Sequence, residues 1–244
     1  MINADVRYAD QRGQTKISWL DSKHSFSFGH NYEPDNTHFG LLLVNNEDTV
    51  APGTGFETHP HRDMEIVTWV LDGSLVHQDS EGNNGLIYPG LAQRMSAGTG
   101  ILHSEKNDAV GGGDRPVHFV QMWVLPDEQG IAPGYQQLDI SDQLASAALV
   151  PLASGLAKHR AATAIRISQR HAGLYVARLS DAQSIALPTA PYVHLFVARG
   201  AVEVEGTGVL TAGDSVRISA AEGQRVTGIG PAEVLVWEMH ASAT

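Results

Sequence analysis

The chain contains no cysteine. Disulfides, thiolate metal sites and cysteine nucleophiles are therefore excluded. Positive charge is also scarce. The chain has 16 Lys and Arg against 27 Asp and Glu, a formal net charge of −11. Direct binding to nucleic acid or to an anionic membrane is disfavoured, because both need cationic surface. No apolar run approaches the roughly 20 residues that span a bilayer. The opening segment Met1-Ile2-Asn3-Ala4-Asp5-Val6-Arg7 lacks a basic stretch followed by an apolar one. No secretory leader is expected, and a soluble cytoplasmic protein is.

What is present suits a globular chain with ample core: 244 residues, 42% hydrophobic and 18% charged. At roughly 100–200 residues per domain, that length allows one large or two small domains. Charge and histidine are unevenly spread. Residues 1–135 hold 18 acidic against 8 basic residues and 8 of the 12 histidines, whereas residues 136–244 hold 9 acidic and 8 basic. The asymmetry suggests two units with different duties.

The patterning is mainly β, and the 25 Gly and 11 Pro suit short strands joined by turns. Strands are expected at Gly40–Asn45, Glu65–Leu71, Ser74–Asp79 and Val117–Val124. Asp72-Gly73, between the second and third, predicts a hairpin. In the second half, Leu174–Leu179, Tyr192–Ala198, Leu210–Val216 and Val234–Glu238 read as strands, with a turn at Gly200 into Ala201–Glu205. Leu144–Leu149 is Ala-rich and reads as a short helical turn between the units. Many short strands at this spacing imply sandwiches or barrels.

Two clusters carry chemistry. One contains His59-Pro60-His61, the other His103-Ser104-Glu105. In extended backbone, positions two apart point the same way. Such pairs on neighbouring strands would bring three imidazoles and one carboxylate to a point. A lone His-x-His pair is more often incidental; two ligand-type pairs beside Gly turns point to a metal. Three nitrogens and one oxygen suit Fe, Ni, Cu, Mn, Co or Zn. Glu65 falls at even spacing from His61, as a fifth ligand, an orienting partner or an exposed strand residue. His24, His30, His38, His159, His171 and His240 read as surface or turn residues; His77, two residues along the strand from Leu75, reads first as a surface residue, with an approach to the site as the other reading. His118 and His194 read as hydrogen-bonded core residues. Phe56, Phe119 and Trp123 are candidates for an apolar wall, with a plain core role as the other reading.

His59-Pro60-His61-Arg62-Asp63-Met64-Glu65 followed by Asp72-Gly73 resembles the first motif of the pirins, a family of the cupin superfamily. Met95-Ser96-Ala97-Gly98-Thr99-Gly100-Ile101-Leu102-His103-Ser104-Glu105 resembles the second. Trp19-Leu20-Asp21-Ser22 with His24-Ser25-Phe26-Ser27-Phe28, and Gln121-Met122-Trp123-Val124, resemble flanking pirin segments. The resemblance implies an all-β bicupin of two jelly-roll β-barrel domains packed face to face: residues 1–137 binding metal, residues 138–244 cupin-like and without metal. It implies His59, His61, His103 and Glu105 as ligands of one divalent transition metal, Fe(II) first, with Cu, Ni, Mn, Co or Zn as alternatives. The implied activity is a quercetin 2,3-dioxygenase acting on a small planar aromatic substrate and O2, with Glu105 as general base. The alternative it implies is a metal-containing regulatory protein that acts through a protein partner.

Overall fold

The computed structural model describes residues 3–108, 114–162 and 164–243. Met1 and Ile2, which head the segment read for a leader, lie outside the described residues. The first strands in chain order are β1 (Asn3–Arg7), β2 (Gly13–Lys16), β3 (Leu20–His24), β4 (Leu42–Val50), β5 (Gly55–His61) and β6 (Glu65–Asp72). Next come β7 (Leu75–Asp79), β8 (Asn84–Ile87), β9 (Leu91–Ser96), β10 (Ile101–Asn107), β11 (Val117–Val124) and β12 (Gly134–Asp139). The second unit adds β13 (Val150–Ser154), β14 (Ala172–Leu179), β15 (Ser184–Ala186), β16 (Thr189–Val204), β17 (Gly208–Thr211), β18 (Ser215–Glu222) and β19 (Arg225–Met239).

These strands make a bicupin. In the first unit a seven-stranded sheet, β12-β9-β6-β11-β4-β3-β2, faces a four-stranded sheet, β5-β10-β7-β8. The second unit is one eight-stranded sheet along the path β1-β18-β16-β19-β14-β13, with β15 and β17 beside it. Hydrogen bonding leaves the sheets open rather than closed into continuous cylinders. The boundary expected at 137/138 falls inside β12, and β1 hydrogen-bonds into the second unit's sheet.

The two-residue period sorts each strand's side chains between layers. On β6, Val67, Trp69 and Leu71 enter a core shared with Leu152, Leu174, Phe196 and Trp237 of the second unit. Ile66 and Val70, at the alternate positions, point into the first unit's own interior. The units therefore meet face to face through one apolar layer, which carries most of the association by removing apolar area from water. Buried polar links add register: the Trp69 indole N–H donates to Glu233 Oε1 at 2.8 Å, and the Arg217 guanidinium donates to Asn36 Oδ1 at 2.7 Å and to the Ser25 carbonyl at 2.9 Å.

Three local expectations change. Asp72-Gly73 makes no hairpin, because β6 and β7 belong to different sheets and the turn carries the chain from one to the other. Gly200 does not turn the chain: β16 runs through it with register shifts against β19, a bulge at a φ of +71°. The expected strand 210–216 breaks between β17 and β18, where Asp214 accepts the Thr211 N–H at 2.7 Å. Of the Ala-rich segment only Leu144 and Ala145 are helical, in a 3₁₀ turn that starts at Gln143. Among the described residues no helix is long and apolar enough to cross a membrane.

Candidate metal centre

β5 and β10 are antiparallel neighbours, with His59 opposite His103. A register shift between His103 and Glu105 sets Glu105 opposite Phe56. Gly55 permits this approach: a Cβ there would lie 2.3 Å from the Glu105 carbonyl oxygen and 2.5 Å from the Lys106 Cα. Gly98, at a φ of +48°, packs so closely that a Cβ would meet the Ile131 carbonyl at 2.2 Å. That turn delivers β10 to its partner.

The ring centroids of His59, His61 and His103 lie 4.5–4.9 Å apart. Their donor nitrogens gather within 4.8 Å of one another, as do those of His77 and His103 with a Glu105 oxygen. Among the described residues, no single such group takes in His59, His61, His103 and Glu105 together. Glu105 Oε2 instead accepts the Gln121 side-chain N–H at 2.7 Å, and Gln121 Oε1 accepts the Trp123 indole N–H at 3.0 Å.

Hydrogen-bond partners assign the tautomers. His59 Nδ1 lies 2.7 Å from the Glu57 carbonyl, which can only accept, so Nδ1 carries the proton and Nε2 keeps its lone pair. His77 Nε2 donates to Asp79 Oδ2 at 3.1 Å, leaving Nδ1 to accept from His103 Nδ1, 3.5 Å away. Burial would raise the Asp79 carboxyl, but hydrogen bonds from Asn83 and His77 outweigh it and hold it below its ordinary value. His103 Nε2 is then a lone pair facing that of His59 Nε2 at 3.1 Å. Two acceptors at that distance repel unless an electrophile sits between them. Two nitrogens each about 2.1 Å from a metal and at right angles would stand about 3.0 Å apart. Burial, then repulsion from neighbouring imidazoles, pushes His61 down to about 4 and His103 to about 3. Uncharged imidazoles with free lone pairs fit a borderline transition metal.

The cluster opens on a cavity of about 760 Å³ lined by Trp19, Phe28, Phe56, His59, His61 and Trp123, among others. Trp123 meets His61 edge-on at 4.8 Å, and Phe56 meets Trp19 at 5.3 Å. Phe56 and Trp123 thus wall the pocket. Phe119 does not: it is fully buried in the core with Leu75 and Ile87.

Glu65 is also elsewhere. It is buried, and its Oε2 accepts the Ser168 N–H at 3.0 Å. The count from His61 fails because a turn intervenes and β5 and β6 lie in different sheets. His77 is not a surface residue; it shares an inner face with Leu75 and is fully buried. His24 is buried as well, stacked on Phe28 and bonded to Thr15 and Asn46. His118 is half-buried and bonds Glu47 at 2.9 Å. His194 is fully buried, but neither ring nitrogen has a hydrogen-bond partner among the described residues. Asp79, Gln121, Asn46 and Asp48 were not singled out by sequence; two-residue spacing from Leu75, Phe119 and Val50 was the only available signal.

The family model described as Pirin matches residues 5–124, and that described as the Quercetinase C-terminal cupin domain matches residues 156–239. A Mycobacterium tuberculosis protein named "Putative quercetin 2,3-dioxygenase" is 57% identical over 237 residues, 97% of this chain and 95% of its own length. The Escherichia coli quercetin 2,3-dioxygenase is 48% identical over 132 residues, 54% of this chain and 56% of its own. The solved structure of the bacterial pirin YhhW from Escherichia coli in complex with nickel(II) superposes with a TM-score of 0.87 at 32% identity, covering 98% of this chain and 99% of that one.

Proposed function

The chain belongs to the pirin family, and from that membership and the imidazole cluster we propose that it is a metal-dependent dioxygenase of flavonols such as quercetin. The observation that carries this reading is the cluster of three imidazoles, of which His59 and His61 line an aromatic-walled cavity. His59, His61 and His103 would hold one divalent metal, with Glu105 as the carboxylate ligand. Fe(II) is our first choice, with Ni next because the pirin YhhW was solved with nickel(II). The second unit would carry no metal. When bound, the metal supplies Lewis acidity and a path for electrons to dioxygen.

The chain's own residues supply the rest. Phe56 and Trp123 would hold the flat ring system with its 3-hydroxyl toward the imidazoles. Glu105 would take the 3-hydroxyl proton, and Gln121 would keep that carboxylate in place through Oε2. The apolar wall would keep bulk water from the reacting ring, in which the C2–C3 and C3–C4 bonds both break, the two atoms of dioxygen end on C2 and C4, and C3 leaves as carbon monoxide with the 3-oxygen.

The test is oxygen uptake and carbon monoxide release with quercetin by protein loaded in turn with each candidate metal, alongside metal analysis. One metal per chain with turnover is expected. Glu105→Gln should keep metal under excess but turn over on the order of 10²–10⁴ slower, the usual contribution of a positioned base. No turnover with any metal would refute the enzyme and favour a regulatory protein that docks on a basic partner.

A further inference from the structure

The cavity has a second polar face that the proposed reaction does not use. It lies on the inner side of the seven-stranded sheet, opposite the sheet that carries the imidazoles. Ser22 and His24 come from β3, and Asn46 and Asp48 from β4; all four are buried and line the cavity. His24 is fully engaged, with Asn46 Oδ1 3.0 Å from Nδ1 and Thr15 Oγ1 3.0 Å from Nε2.

Asp48 is not. The Ser22 hydroxyl hydrogen-bonds its carboxyl, yet Oδ1 has no partner among the described residues, although the residue is only 4% exposed. Arg12, the cation acting on it, is committed to Glu47 at 2.6 Å. A buried acceptor without a donor is costly, and native structures rarely tolerate one without cause. Here the missing donor can come from the cavity. Burial first, with Glu105 adding repulsion, pushes the Asp48 carboxyl up to about 7, so it can both accept and donate near neutral pH. The edge-on pairs Trp19–Phe56 and Phe28–Trp123 form the flanking walls, which suit a flat ring. A donor carried in the plane of such a ring is a phenolic hydroxyl.

We propose that Asp48, flanked by Ser22 and Asn46, reads ring hydroxyl groups of a planar polyphenol, so that the pocket selects hydroxylated over bare aromatic ligands. This rests on reading the cavity as an aromatic-substrate site, and it adds the residue that sets the substrate class. Asp48 acts on hydroxyls other than the reacting one.

The test compares quercetin with 3-hydroxyflavone, which keeps the 3-hydroxyl and 4-carbonyl but lacks the other hydroxyls. Affinities are read without oxygen by calorimetry, in nickel-loaded parent, Asp48→Asn and Asp48→Leu proteins, each shown folded by thermal melting. Asp48→Leu should weaken quercetin about tenfold, the worth of one lost hydrogen bond to a charged or strongly polarised group, and leave 3-hydroxyflavone within about twofold. Asp48→Asn should fall between, because it keeps one acceptor. An equal loss for both ligands, an unchanged quercetin affinity, or no flavonol binding by the parent would overturn the assignment. Hydroxyl-selective binding with no oxygen uptake under any metal would leave it standing and remove only the dioxygenase reading.

Discussion

Replacing His77 by Phe tests whether this buried imidazole positions His103 for a metal. The ring keeps its shape and its stacking on Tyr135, 4.8 Å away. Asp79 stays satisfied, since its Oδ1 accepts the Glu81 and Asn83 backbone N–H groups at 3.0 Å each and both its oxygens bond the Asn83 side chain. The fold should therefore survive. What is lost is the acceptor 3.5 Å from His103 Nδ1, which fixes the tautomer that leaves Nε2 free. Removing such an outer partner typically costs about 10–100-fold in metal affinity. At 3.5 Å the contact is long for a hydrogen bond, so the lower end applies: about tenfold, or about 1.4 kcal/mol. Competition for Ni(II) or Zn(II) against a chromophoric chelator reads the change directly. Folded His77→Phe protein with affinity within about twofold of the parent would refute the positioning role.

His194 predicts a pH effect. Burial, then the charges of Arg217 and Arg12, push it down to about 3, against about 6.5 in the unfolded chain. Between those values the unfolded state alone binds the proton, so stability falls as pH falls; from pH 7 to 5 this residue costs about 2 kcal/mol. His194→Leu should remove that part of the slope in urea unfolding of metal-free protein at the two pH values, and an identical slope would contradict it. Gln121→Leu removes the 2.7 Å donor to Glu105 and should lower kcat about tenfold with little change in KM; an unchanged kcat would free Glu105 from that contact.

Much of the architecture was legible in residue order. The β-branched run at Glu65–Leu71 and the run at Val117–Val124 become β6 and β11, adjacent in one sheet. The i,i+2 logic holds within each strand. It fails across connections, because sequence does not state which sheet the next strand joins. Asp72-Gly73 carries a signal strong enough for a hairpin, yet its positive φ serves a crossing between sheets. Gly200 shows the same limit: an isolated glycine can mean a turn or a bulge, and here it sits in a bulge where a Cβ would meet the Pro231 carbonyl at 2.0 Å.

The polar residues of the site differ in how far local spacing reveals them. His59, His61 and His103 sit on two strands whose pairing alone brings them near one another, and Glu105 follows two residues after His103, so local spacing is informative. Asp48 and Gln121 reach the cavity from β4 and β11, and His77 stands behind His103 on β7; each shares its inward face with an apolar residue two positions away. Their placement depends on which side of a sheet becomes interior, and that follows from the second unit. Trp69, Met122 and their neighbours are drawn outward to Phe196 and Trp237, so the alternate positions of the same strands turn inward. The apolar union of the two units thus sets which face of the seven-stranded sheet can present Asp48 and Gln121 opposite the imidazoles. A substitution that loosened that union, such as Trp237→Ala, would act on the pocket through strand placement without touching a residue that lines it.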